Sequence, residues 1–282
     1  MPLSSLARTD TRQFFRPVAC ELVTLLRSLS PAAWNEPTVA GTWRVRDVVA
    51  HLVDVSIRRL SFHRDRHVPP WRPQPTPTAD REFVAFVNDL NRQWVDAAQR
   101  ISPRMLTDLY EFLGMALADF VESLPDATPA LFPVSWAGEC KSEGWFDLGR
   151  EFSEHWHHQA QIRDAVGAPP MPDPEWLKAV LLIALRGVPH AYRETPAAPG
   201  VTIAIEITGA AGGVWSLRSD AGRWTLWAGE DGRESARLTM TDDTAWRLLF
   251  NALPLERARL LVGAAGDAAL SRPLLGARSV IV

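Results

Sequence analysis

Residues 151–167 read EFSEHWHHQAQIRDAVG, placing two glutamates and three of the chain's seven histidines in one helix-length stretch. Carboxylates and imidazoles grip divalent metal ions, and imidazoles also move protons near neutral pH. At about 100° per residue, Glu151, Glu154, His155 and His158 fall within an arc of about 100° on one helix face, while His157 points away. An i,i+4 carboxylate–imidazole pair spans roughly one turn, which lets both side chains hold one ion. Two pairs compete, Glu151 with His155 and Glu154 with His158, and spacing alone does not choose between them. A solvated polar face is the alternative use of all four residues.

A third ligand has to come from another element, and His51 is the candidate. It lies within VVAHLVD, a run apolar enough to face a helical core, where a buried imidazole needs a hydrogen bond or a metal. A core histidine with a hydrogen-bond partner is the competing reading. Asp54, one turn after His51, is a candidate catalytic group that orients a ligand or takes a proton, against an ion pair with Arg58. His155 is a second candidate catalytic group, a proton shuttle, against a hydrogen-bonded helix histidine. Trp136, Trp145 and Trp156 are candidates to wall a pocket, with core packing their commoner fate.

The elements that must position these residues are mostly helical. Apolar spacing predicts helices over 4–29, 42–65 (with Thr42 as N-cap), 79–101, 102–124 and about 145–166. A proline-rich loop, 67–78, interrupts them. Cys20 falls in the first helix and reads as a small core residue, and neither it nor Cys140 suggests a disulfide. After Gly167 and the linker APPMPDPE comes a helix at about 174–194. The hydrophobic period then switches to two over 201–208, 213–220, 223–230 and 236–242, with glycine-bearing turns between. A helix at 243–254 and a short strand–helix ending complete the chain. The expectation is an α+β protein: a helical bundle over 1–167 and a small α+β domain with a mainly antiparallel sheet over 168–282.

The 282 residues carry a net charge of −3, with 46% hydrophobic and 22% charged residues. That balance points to a globular protein and away from nucleic-acid or anionic-membrane partners. No apolar stretch reaches the roughly 18 residues a membrane helix needs. The first residues show no secretory h-region, so the expected location is cytoplasmic. Composition leaves the oligomeric state open.

WRVRDVVAHLVD (43–54) resembles the second-helix motif of the mycothiol-dependent maleylpyruvate isomerase family, within the DinB-like superfamily of metal-binding four-helix bundles. EHWHHQAQIRDAVG (154–167) matches the register of that family's other motif as Glu154, His158 and Gly167. The resemblance therefore selects the second pair and implies His51, Glu154 and His158 as ligands of a divalent ion, zinc foremost. It also implies a DinB-like four-helix bundle followed by a sterol-carrier-like C-terminal domain. The chain departs from many relatives at Gln161, where they carry an aspartate. Two histidines and one carboxylate leave coordination positions open, as catalytic rather than structural zinc sites do. The implied activity is that of a metal-dependent enzyme using a low-molecular-weight thiol cosubstrate on a small-molecule substrate, a thiol transferase or isomerase. A metal-dependent hydrolase and a non-catalytic small-molecule binding protein are the alternatives.

Overall fold

The computed structural model describes residues 3–69 and 80–280, which gather into two compact units. One comprises Asp10–Pro133 and Cys140–Pro172. The other gathers the N-terminal residues through Thr9, the segment Val134–Glu139, and the chain from Asp173 onward. The units are thus interleaved along the chain, whereas the sequence reading drew a single division at residue 167.

Among the described residues, the first unit holds five long helices: α1 (Phe15–Ser28), α2 (Val45–Arg59), α3 (Asp80–Ala98), α4 (Pro103–Glu122) and α5 (Gly144–Val166). Helices α1, α2, α4 and α5 form the bundle, and α3 packs along α2. A helix buried on most of its circumference belongs inside a bundle, and helix α2 is such a helix: Val45, Val48, Val49, Leu52 and Val53 form a fully buried apolar stripe. Leu22, Leu106, Tyr110 and Ile162 from α1, α4 and α5 complete this core.

Local signals explain the helix ends. Ser102 caps α4, its hydroxyl accepting from the Met105 N–H at 3.3 Å, with Pro103 in the first turn. Gly167, at φ 65°, closes α5 in the left-handed conformation. Helix α2 starts at Arg44 rather than at Thr42, because the Asp47 carboxylate reaches back to accept from the Arg44 N–H at 3.0 Å. After Arg59 its last turn widens into a π-helical segment, Leu60–Arg64. Helix α1 begins only at Phe15, eleven residues later than expected. The residues before it hold a short strand at Ser4–Ser5 and a turn in which Asp10 accepts from Arg12. Cys20 is exposed, not core, because the buried stripe of α1 runs through Phe15, Val18, Ala19, Leu22, Val23 and Leu26. From residue 70 the proline-rich stretch lies outside the described residues.

The second unit is built on a six-stranded sheet: β1 (Ser4–Ser5), β2 (Thr202–Thr208), β3 (Gly213–Asp220), β4 (Arg223–Ala228), β5 (Ala236–Thr241) and β6 (Gly263–Gly266). The strand order is β1-β4-β3-β2-β5-β6, and every pairing is antiparallel except β2 with β5. Ala221 and Gly222, both at positive φ, make the two-residue turn between β3 and β4. Helices α6 (Pro174–Ala184), α7 (Val188–Ala191), α8 (Asp242–Leu249), α9 (Leu255–Leu261) and α10 (Ala268–Leu275) accompany the sheet, with α8 and α10 against β5. Segment Val134–Glu139 joins this unit through Trp136, whose ring lies so close to Gly187 that an added Cβ there would come within 2.7 Å of it. The chain is therefore an α+β protein with a mostly antiparallel sheet. Among the described residues no helix is long and apolar enough to cross a membrane.

Candidate metal centre

Helices α2 and α5 lie side by side in the bundle and bring His51 to Glu154 and His158. One ligand atom from each of the three lies within 4.8 Å of the others, and among the described residues no other such group of three or more occurs. The Nε2 atoms of both histidines converge on one oxygen. Glu154 Oε1 is 3.0 Å from His51 Nε2 and 3.3 Å from His158 Nε2. The two imidazole rings meet edge to face, with centroids 4.9 Å apart.

Charge states follow from burial and contact. Burial pushes His51 down to about 4, against the opposing pull of Glu154, so its ring is neutral at pH 7. Burial would raise the Glu154 carboxyl, but its contacts with His158 and His51 hold it well below the usual carboxylate range. Glu154 is therefore an anion enclosed by imidazoles.

The donor chemistry fits a cation. His158 Nδ1 lies 2.8 Å from the Gln161 side-chain oxygen, an acceptor, so the ring proton sits on Nδ1. A ring with its proton on Nδ1 turns its Nε2 lone pair towards the Glu154 carboxylate. Two acceptors 3.3 Å apart repel unless a second proton or a cation lies between them. Zinc bound tetrahedrally at about 2.0–2.2 Å would set neighbouring donors roughly 3.3–3.6 Å apart. The separations of 3.0 and 3.3 Å are close to that requirement.

The competing pair, Glu151 with His155, is engaged elsewhere. Glu151 accepts from Arg59 at 2.7 Å and from Arg150 at 2.9 Å, and Arg59 also donates twice to Asp147, at 2.8 and 3.1 Å. Arg59, Asp147 and Glu151 are all buried. His155 lies outside the group of three. Its ring packs against Phe15 and Tyr110, with centroids 6.1 and 6.3 Å away, and its Nε2 has no hydrogen-bond partner. Asp54 pairs with Arg58 at 3.0 Å. Neither candidate acid–base residue is among the three that converge. His157 turns away, as its helical position requires, and donates from Nδ1 to the Ser153 carbonyl at 2.8 Å.

Two participants escaped the sequence reading. The ring of Trp43 lies over both ligand candidates, 5.0 Å from His51 and 6.3 Å from His158 between centroids. Its place just before α2 was the available signal. Of the three tryptophans proposed to wall a pocket, Trp136 belongs to the other unit, Trp145 donates to Glu143, and Trp156 is buried. Arg59 is the second, and a basic residue in the last turn of a helix ordinarily reads as solvated.

Comparison with known proteins agrees with this architecture. The chain resembles a crystal structure of the mycothiol-dependent maleylpyruvate isomerase and one of a histidine-to-alanine mutant of that enzyme. Each is 12% identical, and the match covers 94% of this chain and 97% of theirs, with TM-scores of 0.54 and 0.55. That likeness establishes a shared fold. No curated protein sequence matches the chain. Residues 15–163, more than half of the chain, match the family described as the mycothiol maleylpyruvate isomerase N-terminal domain. The bundle that holds His51, Glu154 and His158 lies within this match, and the chain belongs to that family.

Proposed function

We propose that this protein is a divalent-metal-dependent enzyme that uses a low-molecular-weight thiol, a thiol transferase or isomerase of the maleylpyruvate isomerase type. His51, Glu154 and His158 are its metal ligands, and zinc is the first choice of ion for two imidazoles and a carboxylate. The observation that carries this reading is the convergence of both Nε2 atoms on one Glu154 oxygen. A bound divalent ion supplies the positive charge that keeps a coordinated thiol deprotonated near neutral pH.

The protein's own groups do the rest. Three side chains leave further coordination positions open to a cosubstrate. Trp43 packs against the imidazoles, and the partly exposed Glu154 carboxylate lies within reach of both rings. Family membership supports the thiol cosubstrate and a small-molecule substrate.

The test loads the purified protein with zinc and assays mycothiol, bacillithiol and glutathione against maleylpyruvate and a general electrophile, with amide and ester substrates in parallel. Thiol-dependent turnover that disappears in His158→Ala is the expected result. Turnover without thiol would replace the proposal with a hydrolase. Full metal occupancy with no turnover would replace it with a binding protein.

A further inference from the structure

The two candidate imidazoles are held differently on their far sides. His51 Nδ1 is buried and has no hydrogen-bond partner. His158 Nδ1, by contrast, donates to Gln161 across one turn of α5 at 2.8 Å, and both residues are buried. The contacts therefore place the two ring protons on opposite nitrogens in the metal-free protein: the Glu154 carboxylate draws that of His51 to Nε2, and Gln161 draws that of His158 to Nδ1. An imidazole that coordinates through one nitrogen usually donates a hydrogen bond from the other, and removing that acceptor typically weakens metal binding by about 10–100-fold.

We propose that Gln161 is the positioning residue of the metal site. Its amide oxygen accepts from His158 Nδ1 and so turns the Nε2 edge of the ring towards the point that Glu154 shares with His51. This rests on the metal-site reading above. The role follows from chemistry: the amide presents its oxygen as an acceptor for the Nδ1 proton, which leaves Nε2 as the edge that faces Glu154. A neutral amide also leaves the imidazole less basic than a carboxylate acceptor would, so Gln161 moderates the grip on the ion while orienting the ligand.

Gln159 provides the matched control. It is a buried amide on the same helix, and with its amide oxygen and nitrogen exchanged to suit its neighbours it donates to the Val18 carbonyl and accepts from the Leu22 N–H of α1, both at 3.1 Å. Zinc affinity is measured by chelator competition on wild type, Gln161→Met, Gln161→Glu and Gln159→Met. The expected result is a weakening of about 10–100-fold in Gln161→Met, with Gln161→Glu binding at least as tightly as wild type and Gln159→Met unchanged. Equal weakening in Gln161→Met and Gln159→Met would reduce Gln161 to a structural role and overturn the inference alone. So would unchanged affinity in Gln161→Met. A wild-type protein that takes up no zinc would overturn the metal-site reading and this inference together.

A second readout needs no metal and no stable variant of Gln161. Side-chain 15N correlation spectra of the metal-free wild type, with the His158 signal identified by its loss in His158→Ala, report which nitrogen carries the proton. Protonation at Nδ1 supports the proposal, and protonation at Nε2 overturns it.

Discussion

Helices α2 and α5 meet at two buried polar clusters that share a backbone and differ in chemistry. In the first, Arg59 lies between Asp147 and Glu151, and Arg150 also contacts both carboxylates. Each carboxylate there faces guanidinium donors at hydrogen-bonding distance, so the cluster is closed. In the second, one carboxylate faces two imidazoles. A closed cluster contributes register and rigidity, whereas an underfilled one keeps room for something from outside. The comparison suggests how one pair of helices separates holding the fold from holding a ligand: arginine closes the structural cluster and histidine leaves the other open.

Removing the closing charge gives the largest effect. Arg59→Met leaves two buried carboxylates short of their cation and is expected to destabilise the protein by about 3–5 kcal/mol, read from denaturant unfolding. The acid limb of the stability profile should change as well. Burial raises Asp147 and Glu151, but the Arg59 charge overcomes this and both carboxyls end below their usual values. Their contribution is therefore present above an unfolded pKa of about 4 and is lost as pH falls below it. In Arg59→Met the acid loss should become shallower. An unchanged acid limb would mean that the cluster is not the charge-balanced lock described here.

Opening the second cluster further should matter less to the fold and more to the ion. His51→Ala is expected to leave the metal-free protein folded while abolishing stabilisation by zinc. That stabilisation amounts to about 2.7 kcal/mol when free zinc is 100-fold above its dissociation constant. Thermal unfolding with and without zinc checks both halves, and a wild-type Tm that zinc does not move would break the comparison at its open end.

The smallest effect is expected at Asp54, which pairs with Arg58 beside the open cluster. Asp54→Asn should cost about 1–2 kcal/mol, since Asp54 is buried while Arg58 is partly exposed. It should also spare turnover, without the roughly 100-fold or greater loss that follows removal of a general acid–base group. A loss of that size would return Asp54 to the reaction.

How much of this was legible in the sequence depends on the kind of signal. Periodicity located α2 and α5, and the Ser102-Pro103 and Gly167 signals marked helix ends, because those residues act on their own neighbours. The choice between Glu151/His155 and Glu154/His158 could not be read from spacing, since all four occupy one helical arc. The family register selected Glu154 and His158. In the structure the physical discriminator is Arg59, whose partners lie 88 and 92 positions away. No local pattern announces so distant a pairing. Residues 4–11 were misread as helix for a related reason. Their apolar side chains follow helical spacing, yet Ser4–Ser5 pairs with β4, more than two hundred residues later.

The interleaving of the two units has a consequence for dissecting the protein. A break after Pro172 would appear to separate a helical half from a sheet half, but the C-terminal piece would be released without β1. It would bare the β4 edge at Trp227 and Ala228, and an unpaired edge is a template for aggregation. The same piece would lose Trp136, leaving Gly187 with a vacated aromatic seat, while the N-terminal piece would carry the fully buried Val134 into water. Neither fragment is a self-sufficient folding unit, so the two are better co-expressed as complementing pieces than purified singly.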